Sequence, residues 1–183
     1  MLAFIVACAL ALTFSTFAGT AASINESQQP LNYDIYLKLD GIDGESIVRG
    51  YEKWIPLASV QLGVTNVVSR TSTGIAAGKA TPGPLVIMKR PDSSTLPIFL
   101  AITSGKVILK GTIAFVKPGV SPVAPLTYEL GNILVSSFST DNGFETIELT
   151  YDSIVIGYAT QNATGTLNAP VKGGWNFAKN IKL

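Results

Sequence analysis

The chain has 183 residues, 47% of them hydrophobic and 14% charged, with 13 Lys and Arg against 12 Asp and Glu. That balance suits one domain with a real core rather than a disordered chain, and a net charge of +1 gives no global attraction to nucleic acid. No His occurs and Cys8 is the lone Cys, which removes most metal sites, Cys–His nucleophiles and the Ser-His-Asp triad, so the composition points away from an enzyme and toward no cofactor.

Residues 1–22, MLAFIVACALALTFSTFAGTAA, hold no charged side chain. Leu2 to Phe14 is nearly all apolar, and small residues follow, with Thr20 and Ala22 at the −3 and −1 places of a cleavage zone. This is a secretory signal-like segment, cut between Ala22 and Ser23. Its apolar run falls short of the roughly 20 residues that span a bilayer, so no stable membrane insertion is expected after signal removal. Cys8 leaves with the signal, and residues 23–183 form a single domain held by burial and strand pairing without a disulfide. Asn25-Glu-Ser27 and Asn162-Ala-Thr164 fit the glycosylation acceptor pattern.

Tyr33-Asp-Ile-Tyr-Leu-Lys-Leu39 alternates, with Tyr33, Ile35, Leu37 and Leu39 on one face and Asp34, Tyr36 and Lys38 on the other. That period of two predicts a half-buried strand, closed by the turn residues Asp40 to Gly44. Lys53 to Val68 is rich in β-branched residues and predicts a second, longer strand. Arg70 to Pro84, RTSTGIAAGKATPGP, has no periodicity and predicts a long extended loop, an arm that orders against another subunit. Leu85 to Met88 predicts a short buried strand.

One helix is expected next. Ser93, Ser94 or Thr95 supplies its cap, Pro97 sits in its first turn and Gly105 ends it. Leu96, Phe99, Leu100 and Thr103 recur at helical spacing, which predicts that this stripe faces a sheet edge or barrel mouth. Lys106–Val116, Leu126–Phe138 and Thr146–Tyr158 then read as long strands, and Asp141-Asn-Gly143 is a hairpin signal. In the last strand Ile147, Leu149, Tyr151 and Val155 share one face, while Ile154, Ile156 and Tyr158 take over the other. Such a change of face predicts a subunit contact or a bend between two sheets. Lys172, Lys179 and Lys182 read as a solvated tail. The fold class is mainly β, a two-sheet antiparallel β-barrel with one short α-helix and the long loop.

Candidate chemistry is sparse. Asp40, Asp43 and Glu45 lack the ligand series of a calcium loop and read as turn structure. Gly74, Gly78 and Lys79 fall one spacer short of a phosphate loop, and Ala80 stands where the metal-binding hydroxyl belongs. Trp54, Trp175 and the tyrosines read as packing before they read as a ligand cage.

Taken in series, these segments resemble the Hcp family, the tube-forming protein of the bacterial type VI secretion system. Tyr33-Asp-Ile-Tyr-Leu-Lys-Leu-Asp-Gly-Ile-Asp-Gly-Glu-Ser46 resembles that family's first strand and turn, and Trp54 to Val64 its second strand. Ala77-Gly-Lys79 stands where the family has a Gly-rich extended loop, and Ser94 to Lys106 resembles its helix and exit. Tyr128–Ser137, Glu145–Tyr151, Tyr158–Gln161 and the tail Pro170-Val-Lys-Gly-Gly-Trp-Asn176 resemble its later strands and terminal motif. The resemblance implies six-membered rings stacking into a hollow tube, with the chain itself as main partner and a spike protein, sheath and effectors as others. It also implies that Arg70, Thr71, Ser72, Thr73, Gly74, Ile75, Ala76, Ala77, Gly78 and Lys79 form the ring-stacking or subunit interface loop. Members ordinarily lack a cleaved export signal, so the signal-like 1–22 implies an unusual, secreted homologue. The competing expectation is a secreted monomeric β-barrel that binds a small ligand.

Overall fold

A computed structural model describes residues 33–72, 74–119, 121–162 and 164–183; the expected signal segment and its Ala22–Ser23 cut lie outside the described residues. The strands in chain order are β1 (Asp34–Leu39), β2 (Ile55–Leu57), β3 (Ser59–Gln61), β4 (Val64–Thr71), β5 (Gly74–Pro82) and β6 (Leu85–Lys89). Helix α1 (Thr95–Ser104) follows, then β7 (Ile108–Lys117), β8 (Val123–Asp141), β9 (Phe144–Tyr158), β10 (Val171–Asn176) and β11 (Ile181–Lys182). Every pairing between these strands is antiparallel.

The long β8–β9 hairpin organises the rest. Asn142 and Gly143 make its two-residue turn, both at positive φ (48° and 76°), the conformation whose twist matches the flanking strands. The first half of β9 lies between β8 and β6, and its second half lies between β8 and β10. β7 covers the other side of β8 and pairs with β1, which pairs with β2. Only Ala58 separates β2 from β3; its amide donates to the Met88 carbonyl at 2.7 Å, beside the β3–β6 pairing. The path of pairings from β1 through β7, β8, β9, β6 and β3 thus returns to β1 through the segment Ile55–Gln61.

Alternation places Leu37, Leu39, Ile87, Ile113, Ile147 and Leu149 in one apolar core, each at most 1% exposed. Burying a Leu or Ile side chain contributes about 1.5–3 kcal/mol. The change of face expected in β9 has a definite place. Leu130 pairs with Ile154 and Ile133 with Tyr151, all four buried, although each pair is three residues from the other along its strand. Asn132 lies between them at φ +52°, and its Nδ2 donates to Asp152 Oδ2 at 3.0 Å. Both strands turn over at the same level, so the core face continues through the switch.

Three expectations need correction. The second strand does not run from Lys53 to Val68. Lys53 has φ +64°, Ala58 interrupts the first pairings, and Leu62-Gly63 separate β3 from β4. β-Branched residues raised the strand propensity of the whole stretch, but three different partners cut it into three pieces. Tyr36 is not on a polar face; it is buried with Ala114 and Val116 in a second small core roofed by Tyr51 and Trp54. Helix α1 meets the main core through Ile98 and Ala101, while Leu96, Phe99 and Leu100 are exposed. The helix is apolar on nearly every side, so spacing alone chose the wrong face. Its end is as expected: Gly105 is left-handed, its amide donates to Ile102 O, and the Lys106 amide reaches Ala101 O. Lys172, Lys179 and Lys182 are exposed, as expected of a solvated tail; Lys172 and Lys182 lie on strands β10 and β11, and Lys172 Nζ is 2.7 Å from Glu129 Oε1.

Candidate functional site

The expected arm is a β-hairpin, not a loop, and it starts at Val64 rather than Arg70. Its register runs from Val64↔Pro82 to Thr71↔Gly74, forming a two-stranded sheet that, among the described residues, pairs with no other strand. The base is tied by the Gly83 amide to Gly63 O at 2.8 Å, and Ala80 packs against the main core. Gly78 and Lys79 together oppose Val67, because the register shifts between Asn66↔Ala80 and Val68↔Ala77. Ser72 lies in the turn and Thr73 lies outside the described residues. Gly74 stands at φ +145°, a conformation that side-chain-bearing residues rarely adopt.

Beyond its base the hairpin is exposed on both faces. Val67 is 76% exposed, Ile75 67% and Val68 58%. This explains why the segment reads as aperiodic: a period of two arises when one face is buried, and here neither is. Arg70, at the penultimate pair before the turn, and Lys79, at the bulge, are the hairpin's charged residues, with no acid between Val64 and Pro82. A two-stranded hairpin is at best marginally stable by itself in water.

A second exposed apolar surface is the outer side of α1, where Leu96 and Leu100 stand beside Phe99. Phe99 meets Phe138 edge-on at 6.0 Å. This surface and the hairpin account for much of the large apolar exposure, the pattern expected of interaction surfaces.

A buried charge network roots the helix. Lys89 is fully buried at the end of β6, with Nζ 2.8 Å from Asp92 Oδ1 and 2.7 Å from Glu145 Oε2. It also donates to Arg90 O at 2.9 Å. Thr95 Oγ1 donates to Glu145 Oε1 at 2.7 Å and accepts from the Asp92 amide at 3.1 Å. Ser94, expected as a cap, makes no side-chain cap bond; its hydroxyl and amide both donate to Asp92 Oδ1. Asp92 Oδ2 is buried without a hydrogen-bond partner. Sequence reading missed Lys89 and Glu145 because their separation of 56 positions is closed only by the β6–β9 pairing. Beside this network a cleft of about 350 Å³ is lined by Glu45, Pro56, Leu57, Ala58, Arg90, Pro91 and Asp92.

The remaining candidates have structural explanations. Asp43 pairs with Lys53 at 3.2 Å in an exposed turn, and among the described residues no group of three or more His, Cys, Asp or Glu is placed to hold a metal. Gly74, Gly78 and Lys79 lie on a hairpin and not at a strand–helix junction. The aromatics pack: Tyr36 stacks on Tyr51 at 5.5 Å, Tyr51 meets Trp54 edge-on at 5.2 Å, and Trp175 lies against the main core. Burial raises the Tyr36, Tyr51, Tyr128 and Tyr151 hydroxyls above their ordinary value of 10.0.

The described residues thus combine an antiparallel sheet, one helix on a charge-locked base and a free-standing hairpin. The family model described as type VI secretion system effector, Hcp, matches residues 36–158. The chain belongs to the Hcp family. The match takes in the hairpin, the helix and the whole β8–β9 unit. A solved type six secretion system protein shares 25% identity over 82% of this chain and 99% of its own, with a TM-score of 0.76. Hcp1 from Salmonella typhimurium shares the fold at 24% identity, 82% and 99% coverage and a TM-score of 0.67. Hcp2 from the same organism does so at 22% identity, 81% and 99% coverage and 0.64. No curated protein matches the sequence. The chain is thus a type VI secretion tube-type protein.

Proposed function

We propose that this Hcp-family chain is a ring-forming subunit, six copies closing a ring and rings stacking into a hollow tube able to carry effectors. The path of pairings that returns through Ile55–Gln61 supports a β-barrel as the wall unit of that ring. The observation that carries the reading is the Val64–Pro82 hairpin, which presents Val67, Val68 and Ile75 to solvent on a segment that pairs with no other strand. A ring supplies the missing neighbours and closes free edges without unlimited growth. Residues 70–79 form the stacking or subunit contact, and spike, sheath and effector proteins are the further partners. The space between the sheets is filled by side chains such as Leu37, Ile113 and Ile133, which speaks against a small-ligand barrel. The product is secreted, with residues 1–22 removed between Ala22 and Ser23. Among the described residues no helix is long and apolar enough to cross a membrane.

The test is the native mass of the full chain together with negative-stain images. Rings of six, alone or stacked, are the expected result, and a monomer at every concentration overturns the reading. Because Val64 pairs with Pro82, replacing Thr65–Thr81 by Asn-Gly keeps the hairpin base closed. That variant is expected to keep a folded domain and to lose ring-on-ring stacking. Unfolding instead would make the hairpin part of the core.

A further inference from the structure

We infer that the cleft beside Asp92 is the seat of Arg70 from a second copy, so that the tip of one copy's hairpin is held by an acidic notch on the next. The inference rests on the ring-forming reading and names the contact that reading leaves unassigned.

Two observations, one on each side, carry it. On the hairpin, the eight residues of β4 span about 26 Å at the rise of an antiparallel strand, which takes the tip well away from its base. Arg70 stands one pair back from the turn there. Its side chain is exposed and makes no hydrogen bond or ion pair among the described residues. A lone guanidinium on an apolar projection fits recognition of a carboxylate on another surface.

On the body, the cleft and the network under it hold the carboxylates of Glu45, Asp92 and Glu145 against the cations of Lys89 and Arg90. One negative charge is left over. Arg90 is turned toward Phe144, its Cζ 5.5 Å from the ring centroid, and Lys89 is buried between its two carboxylates. Asp92 keeps one buried oxygen without a hydrogen-bond partner. Glu45 stands at the exposed rim, with Oε1 accepting from the Ser93 amide at 3.0 Å, which holds the carboxylate in place. Pro56, Leu57 and Pro91 line the cleft with apolar surface suited to the methylene stem of an arginine. The head then pairs with Glu45 at the rim, while the surplus charge below adds a longer-range attraction. The acid-free hairpin and the acid-rich notch are complementary in sign, which favours one register of stacking over others.

The experiment uses the full chain and measures stack length in negative-stain images and by sedimentation. Arg70→Glu and Glu45→Arg, each alone, are expected to weaken ring-on-ring association by about tenfold or more, since six such contacts act together. Glu45→Gln keeps the acceptor for the Ser93 amide and removes the charge, so it is expected to weaken stacking without disturbing the fold. The double variant R70E/E45R is expected to recover stacking to within about threefold of the original, the mark of a direct pair. Hexameric rings that stack normally with Arg70→Glu, or a double variant no better than the singles, overturn this contact and leave the ring reading standing. A parent chain that never forms rings overturns both.

Discussion

Two of the β-hairpins, β8–β9 and β4–β5, are made by the same kind of pairing and differ in what covers them. In β8–β9 the alternation delivers Ile133, Ile147, Leu149 and Tyr151 into the main core, and each strand has neighbours on both sides for most of its length. In β4–β5 the positions between the base and the turn carry Ala, Gly, Ser and Thr with scattered Val and Ile, and neither face is covered. Backbone pairing gives both their shape. Burial gives stability only to the first, so the second is available for a partner.

That contrast can be attacked first at the foot of β9. Lys89→Ala removes the cation that two buried carboxylates share, and is expected to cost about 3–5 kcal/mol in denaturant unfolding. A loss below about 1 kcal/mol would mean that Glu145 and Asp92 find compensation elsewhere. The two hairpins can then be compared directly. Ile147→Ala, in β9, is expected to cost about 2–5 kcal/mol, whereas Ile75→Ala, in β5, should stay within about 0.5 kcal/mol in the isolated subunit. Equal losses would show that the free hairpin is packed in solution.

A subtler difference lies in pH dependence, because the core hairpin carries Tyr128 and Tyr151 while the free one has no tyrosine. Burial holds both hydroxyls above the ordinary value of 10.0, so the folded chain keeps protons that the unfolded chain has begun to release. Stability from this source is therefore complete below about pH 10 and falls as pH rises through the folded values. Tyr151→Phe removes a hydroxyl that has no hydrogen-bond partner, so it should leave neutral-pH stability nearly unchanged and flatten the alkaline decline. A decline as steep as in the parent would place the proton release at other groups.

Much of the fold was legible in the chain because its signals are local. The strand within Tyr33–Leu39, the Asn142-Gly143 turn and the Gly105 helix end are each decided within a few residues, and each stands where the pattern put it, with Tyr36 the one side chain of that strand assigned to the wrong environment. The face of α1 was not legible, since Leu96, Phe99 and Leu100 are as apolar as Ile98 and Ala101. The hairpin was legible as a place of interest through its glycines and its lack of period, but its pairing was not. Small residues on a two-sided exposed ribbon carry no alternation to read. The Lys89–Asp92–Glu145 network was hidden for another reason, because a lysine at a strand end reads as a solvated charge until a distant strand is brought against it.

The sequence by itself determined a mainly β chain with one helix, the positions of its tightest turns and its likeness to the Hcp family, because propensity, period and turn chemistry act over short distances. Tertiary structure alone decided which side of a largely apolar helix is covered and where β8 and β9 change faces together. It also buried a lysine between two carboxylates and left the Val64–Pro82 ribbon uncovered. Those outcomes depend on which strands become neighbours, and burial and charge compensation exist only once they have.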